Sequence, residues 1–156
     1  MVANVGALGD NADMSFPATL VVLVIVTHQG RYLVVQEHDG SWYLPAGRVE
    51  HGESLLDAAV RETAEEAGIA VEPTGIIGLD QEWPNGGVRI RVCFEGRPSA
   101  DPTPKSAADE HTLGARWVTK DELRTMRLRG VDVLAWVERY ESGARLPCSA
   151  FVWYGT

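Results

Sequence analysis
Hydrophobic positions along this chain fall into strand-like runs, interrupted by stretches with helical periodicity. Residues 19–27 (Thr-Leu-Val-Val-Leu-Val-Ile-Val-Thr) form an apolar run rich in β-branched side chains, which predicts a buried strand. His28-Gln29-Gly30 is a turn, and residues 31–36 read as the returning strand of a hairpin. A second turn at 37–40 leads to a short strand at 42–45. Ser54 is then an N-cap, with Asp57 completing a capping box, for a helix over residues 55–67. Gly68 stands where a helix end takes positive φ. Leu56, Val60, Thr63 and Ala67 recur at helical spacing and predict the buried stripe, with Arg61, Glu62, Glu65 and Glu66 on the opposite side.

Residues 70–83 predict a strand broken near Pro73 and Gly75. A Pro84-Asn85-Gly86-Gly87 turn follows, then an alternating partner strand at 88–96. Residues 97–108 hold three prolines and read as a long exposed loop. A strand is expected at 112–118, with helices at 120–126 and 131–140. The second of these is expected to bury Val131, Leu134, Ala135 and Val137. The tail, 146–154, is read as a last strand with three available roles: completing the sheet, covering a cleft, or lining a homodimer interface. Strands on both sides of one central helix, with a closing helix, predict an α/β fold, a sandwich of helices around a mixed sheet.

Composition narrows the class. A chain of 156 residues is expected to form one domain, residues 17–156, behind a loose tail at 1–16. A net charge of −8 argues against nucleic acid as a partner. No Lys or Arg precedes Arg31, so a secretory signal is not expected, and the apolar run at 18–26 is too short to span a bilayer. A cytoplasmic protein that does not engage a membrane is the expectation. Cys93 and Cys148 have no ligand-like spacing and read as buried or partly buried thiols; the four histidines are scattered.

The helix at 55–67 carries the chemistry. Glu62, Glu65 and Glu66 stand at i, i+3 and i+4, so their side chains converge. Each like-charged pair costs roughly 0.2–0.5 kcal/mol on an isolated helix, and the cluster lies toward the negative end of the helix dipole. Helix stability does not favour that arrangement. A solvated acidic face is one reading; a site for a hard divalent cation, which takes oxygen ligands and compensates the charge, is the other.

The surrounding residues favour the second. Gly47, Glu53, Arg61, Glu62, Glu65, Glu66, Gly68 and Ile69 resemble the Nudix box: glycine, five residues, glutamate, seven residues, then Arg-Glu-U-x-Glu-Glu-x-Gly-U, with U a bulky aliphatic. Thr63 departs from the pattern in an aliphatic slot, and its hydroxyl needs a partner if buried. The resemblance, to the Nudix (MutT-like) hydrolases, implies an α/β/α sandwich and hydrolysis of the pyrophosphate linkage in a nucleoside di- or triphosphate derivative. It implies Mg²⁺ or Mn²⁺ as cofactor, held by Glu62, Glu65 and Glu66 with the Gly47 carbonyl as a further ligand. The base that activates water is expected at Glu62, Glu66 or Glu110, with Asp109 as the alternative if the register slips. Arg61 and Glu53 are expected to pair bidentately and hold the box in place.

Substrate contacts are less constrained. Arg48 follows Gly47 and can reach a phosphate. Trp42, Trp83 and Phe94 are candidates for stacking a base. The run 42–48 and the later Leu128-Arg129-Gly130-Val131-Asp132-Val133-Leu134 are similar to the 8-oxo-dGDP phosphatase branch of the family, which implies oxidised purine nucleotides as one substrate class. ADP-ribose, nucleotide sugars and ordinary nucleoside triphosphates are the others. From a different class, a catalytically silent nucleotide-binding module would be favoured by loss of one metal glutamate, and all three are present. A purely structural acidic protein would leave the spacing of Gly47, Glu53 and Arg61 unexplained.

Overall fold
The computed structural model of the protein describes residues 16–155, so the tail expected at 1–16 lies, apart from Phe16, outside the described residues. The elements run β1 (Ala18–His28), β2 (Arg31–Gln36), β3 (Trp42–Tyr43), β4 (Ala46–Arg48), α1 (Leu55–Ala67), β5 (Val71–Glu82), β6 (Val88–Pro98), β7 (Gly114–Val118), α2 (Lys120–Thr125) and α3 (Asp132–Glu141). A single 3-10 turn, Cys148–Ala150, follows. No described helix is long and apolar enough to cross a membrane.

β1 is the hub of a mixed sheet. It pairs in parallel with β6 from Ala18 to Val26, and antiparallel with β4 at Val21, Val22 and Leu23. Its far end turns into β2 through Gln29 and Gly30, both at positive φ. Side chains alternate across a strand, so one apolar run serves two cores. Val22, Val24 and Val26 pack with Ala58, Ala59 and Ala67 of α1. Leu23 and Ile25 pack on the other face with Leu123 of α2 and Val133, Trp136 and Val137 of α3. The result is the expected α/β/α sandwich, and it explains why β1 is apolar at every position from Leu20 to Val26 rather than every second one.

Local signals hold where the chemistry is local. Helix α1 has the predicted bounds. The Asp57 N–H donates to Ser54 Oγ at 3.0 Å, and Gly68 closes the helix at φ 69°. The capping box forms only in part, because Ser54 Oγ donates to the Asp57 carboxylate, at 2.7 Å. The Thr63 hydroxyl is fully buried and donates to the Ala59 carbonyl at 2.8 Å, which satisfies it.

Four expectations are corrected. On α1 the buried face is Ala58, Ala59, Glu62, Thr63 and Ala67, while Val60 is exposed. Alanines let the helix sit close against β1, and that proximity outweighs the larger apolar side chain of Val60. On α3 the buried residues are Val133, Trp136 and Val137; Val131 precedes the helix and is 94% exposed, and Ala135 is exposed too. The expected loop begins later, since β6 runs on to Pro98. The tail adds only one antiparallel bridge, Leu146 to Ile76, before the 3-10 turn, and Val152, Trp153 and Tyr154 are exposed.

Candidate active site
The acidic helix α1 meets the loop before it at one tight contact. A Cβ built on Gly47 would lie 1.9 Å from the Glu62 carboxyl carbon. Only a glycine lets β4 pass this close to that carboxylate. Arg61 fastens the arrangement. Its Nε and Nη2 donate to the two oxygens of Glu53 at 2.7 and 2.9 Å, a bidentate fork. Its Nη1 donates to Glu62 Oε1 at 2.9 Å and Glu65 Oε2 at 3.1 Å, and Nη2 also reaches the Arg48 carbonyl at 3.0 Å. One guanidinium therefore ties the loop, the strand and two of the three glutamates together.

The third, Glu66, is oriented from the other side: the Ala46 N–H donates to its Oε2 at 3.0 Å. Burial drives the Glu66 pKa up to about 8; the Ala46 hydrogen bond and Arg129 oppose the rise, while Glu62 and Glu37 add to it. Burial also raises Glu62, against the lowering effect of Arg61. Glu53 is lowered by its hydrogen bonds from Arg61. The end of α1 is neutralised by the loop at 105–112. Lys105 Nζ donates to the Glu65 carbonyl at 2.7 Å and Thr112 Oγ1 to the Glu66 carbonyl at 2.6 Å, satisfying orphan carbonyls at the negative helix end.

These residues fit a hard divalent cation. Glu62, Glu65 and Glu66 each have one oxygen held by the protein, which leaves Glu62 Oε2, Glu65 Oε1 and Glu66 Oε1 without a hydrogen-bond partner among the described residues. No fully buried side-chain nitrogen or oxygen there lacks a partner, so the free oxygens face solvent. Oxygen donors of this kind suit Mg²⁺ or Mn²⁺. Among the described residues no three acidic, His or Cys side chains stand close enough together to enclose an ion, and Arg61 Nη1 bridges Glu62 and Glu65.

Across β4 from the helix lies a cavity of about 170 Å³, lined by Val21, Tyr43, Ala46, Gly47 and four arginines, Arg48, Arg89, Arg91 and Arg129. Arg48 was anticipated from sequence; Arg89, Arg91 and Arg129 were not. The available signal was Arg-Ile-Arg at the start of β6, since period two places Arg89 and Arg91 on one face. Arg91 is anchored: it donates to Asp80 Oδ1 at 2.8 Å and Oδ2 at 2.5 Å, to Asp132 at 2.7 Å and to the Tyr43 hydroxyl at 3.2 Å. Tyr43 in turn donates to Asp132 at 2.7 Å, joining the pre-helix loop to α3.

The remaining candidates fall outside both surfaces. Phe94 is fully buried in the core beneath α1 and offers no face to a ligand. Trp42 is half-buried with the Arg116 guanidinium 4.4 Å above its ring. Trp83 is exposed at the end of the β5–β6 hairpin, with its ring 4.9 Å from that of Phe16. The Glu110 side chain is 86% exposed and meets His111 at 3.5 Å, and that histidine stands 3.9 Å from Glu65. Asp109 is committed to the loop, accepting from Lys105 at 2.6 Å and from the His111 and Thr112 N–H groups.

Comparison with known proteins places this geometry in context. A family model described as a NUDIX domain matches residues 16–137. Human 8-oxo-dGDP phosphatase NUDT18 is 37% identical over 136 residues, 82% of this chain and 41% of that protein. The chain thus spans about two-fifths of the length of that relative. Phosphatase NudJ of Shigella boydii is 33% identical over 138 residues, covering 85% of this chain and 89% of that protein. Among solved structures, a NUDIX hydrolase from Nitrosomonas europaea superposes with a TM-score of 0.79 at 28% identity, covering 88% of this chain and 98% of that one.

Proposed function
For a chain that belongs to the NUDIX family, as this one does, we propose divalent-metal-dependent hydrolysis of the pyrophosphate linkage in a nucleoside di- or triphosphate derivative. The observation that carries the reading is the triad of half-held glutamates, Glu62, Glu65 and Glu66, set against the missing Cβ of Gly47. Mg²⁺ or Mn²⁺ bound there would neutralise phosphate oxygens and lower the pKa of a coordinated water.

The chain's own residues supply the rest. Arg61 holds Glu62 and Glu65 in the orientation that presents their free oxygens, and Glu53 fixes Arg61. Orienting partners of this kind are worth about 10–100-fold in metal affinity or activity. Glu66, with its pKa near 8, holds a proton at neutral pH until a cation displaces it, and once ionised can accept a proton from water. Glu62, nearest to Gly47, is the alternative base. Glu110 reaches this centre only through motion of its loop, since its side chain now points to solvent. A cytoplasmic, nucleotide-consuming enzyme is the setting we propose.

The test is a hydrolysis panel with Mg²⁺ or Mn²⁺: 8-oxo-dGDP, 8-oxo-dGTP, the ordinary nucleoside di- and triphosphates, ADP-ribose and UDP-glucose, with products separated by chromatography. Metal-dependent release of a nucleotide or phosphate supports the reading. Absence of turnover on every substrate, with metal binding demonstrated, would replace it with a nucleotide-binding module.

A further inference from the structure
The aromatic side chains near the site are already engaged. Tyr43 lines the cavity, but the Arg129 guanidinium sits 4.8 Å from its ring centroid. Trp42 carries Arg116, Phe94 is core, and Trp83 packs with Phe16 away from the cavity lining. A base that enters here therefore finds no free aromatic face among the described residues lining the cavity, and stacking is the usual sequence-tolerant way to hold one.

The cavity offers guanidinium groups instead. Among the described residues no acidic side chain lines it. The carboxylates that neutralise its arginines stand behind them: Asp80 and Asp132 on Arg91, Glu82 at 3.1 Å from Arg89, and Glu37 at 3.1 Å from Arg129. Asp80 with Arg91 and Glu82 with Arg89 are cross-strand partners in register, so the β5–β6 ladder itself sets the spacing of the two arginines. Arg48 has no acidic partner among the described residues. Forks held from behind are pre-organised for an anion and lose little entropy on binding it. They sit in a chain of net charge −8, where a local basic pocket draws in an anionic end that the rest of the surface charge repels.

We propose that Arg48, Arg89 and Arg129 form a phosphate subsite, which takes a phosphate of the substrate beyond the scissile pair, so that substrates are selected by phosphate content more than by base. The proposal rests on the hydrolase reading for its kinetic arm only. The extra phosphate has two possible sources, the polyphosphate chain or the sugar. Comparing dGTP with dGDP reads the first, and ADP carrying a 3′-phosphate against ADP reads the second.

The experiment has two parts, on the full chain and on the Arg48→Gln and Arg89→Gln variants, each checked for unchanged thermal melting. Arg48 is exposed and has no internal acidic partner among the described residues, so its substitution leaves the fold intact. In the first part, calorimetry follows inorganic tripolyphosphate binding to the metal-free protein. Each variant is expected to bind at least about 10-fold more weakly, the loss of roughly one charge-assisted interaction. Equal affinity in all three proteins overturns the subsite, whether or not the protein is a hydrolase. In the second part, kcat/KM is compared across the two substrate pairs and across bases at fixed phosphate number. A gain of about 10-fold or more from the added phosphate in at least one pair, abolished in both variants through KM, supports the proposal. No gain in either pair, a gain that survives in the variants, or a base effect exceeding the phosphate effect overturns it.

Discussion

The acidic face of α1 and the basic cavity on the other side of β4 differ in how they are built. The first comes almost wholly from a single stretch, residues 46–69, in which spacing along one helix, one glycine and the Ala46 N–H bring the three glutamates together. The second draws Tyr43, Arg48, Arg89, Arg91, Arg129 and Asp132 from strands, loops and a helix that meet only in the folded chain. The electrostatics differ as well. Burial and mutual repulsion drive Glu66 toward its neutral form, whereas Arg91 is held charged by Asp80 and Asp132. One face holds a carboxylate pushed toward its neutral form by burial and by neighbouring carboxylates; the other is balanced internally by ion pairs. On the proposed reading, the first face does the chemistry and the second binds.

The largest expected effect breaks the chemical face alone. Glu66→Gln and Glu62→Gln should each lower kcat by about 10³-fold or more, consistent with loss of metal-assisted water activation, while far-UV circular dichroism stays unchanged. Gly47→Ala should cost about 10²-fold in kcat/KM, because its methyl group would displace the Glu62 carboxylate that lies where the Cβ must go. Arg61→Lys keeps the charge but cannot hold Glu53, Glu62 and Glu65 together. About 10–100-fold of activity should be lost, with metal affinity measured alongside.

These effects concern residues that the sequence exposes directly, and that is no accident of motif lookup. Helical spacing forces Glu62, Glu65 and Glu66 together, and the cap residues Ser54 and Gly68 bound the helix without help from the rest of the chain. Where reading by hydrophobicity failed, tertiary packing decided. Val60 is more apolar than Ala58 or Ala59, yet the small residues face β1 because a close helix–sheet approach needs them. Val131 is the N-cap residue of α3 and stays exposed, while Val133 and Trp136 pack beneath the sheet. The basic cavity was legible only at Arg48, since no local pattern brings Arg91 of β6 to Asp132 of α3. The C-terminal tail carried apolar residues but no alternation strong enough to fix a register, and it makes one bridge.

Two smaller effects sharpen the comparison. Glu66 has a folded pKa of about 8 against an ordinary value near 4.5, so between those pH values the folded state binds more protons than the unfolded one. Stability of the metal-free protein should therefore fall as pH rises from about 4.5 to 8. Glu66→Gln removes that cost. Calorimetric melting at pH 8 should show the inactive variant to be more heat-stable than the parent without metal, with the gap closing at pH 5. On the basic face, Tyr43→Phe deletes a hydroxyl that donates to Asp132 and accepts from Arg91. A loss of about 1–2 kcal/mol in chemical denaturation is expected.

The central claim is that Glu62, Glu65 and Glu66 beside Gly47 form a divalent-cation site. Titration of Mn²⁺ followed by electron paramagnetic resonance, on the parent chain and on Glu66→Gln and Glu62→Gln, tests it without reference to any substrate. Saturable binding by the parent is expected, weakened by about 10-fold or more in each variant. Mn²⁺ affinity that is the same in all three proteins would contradict it.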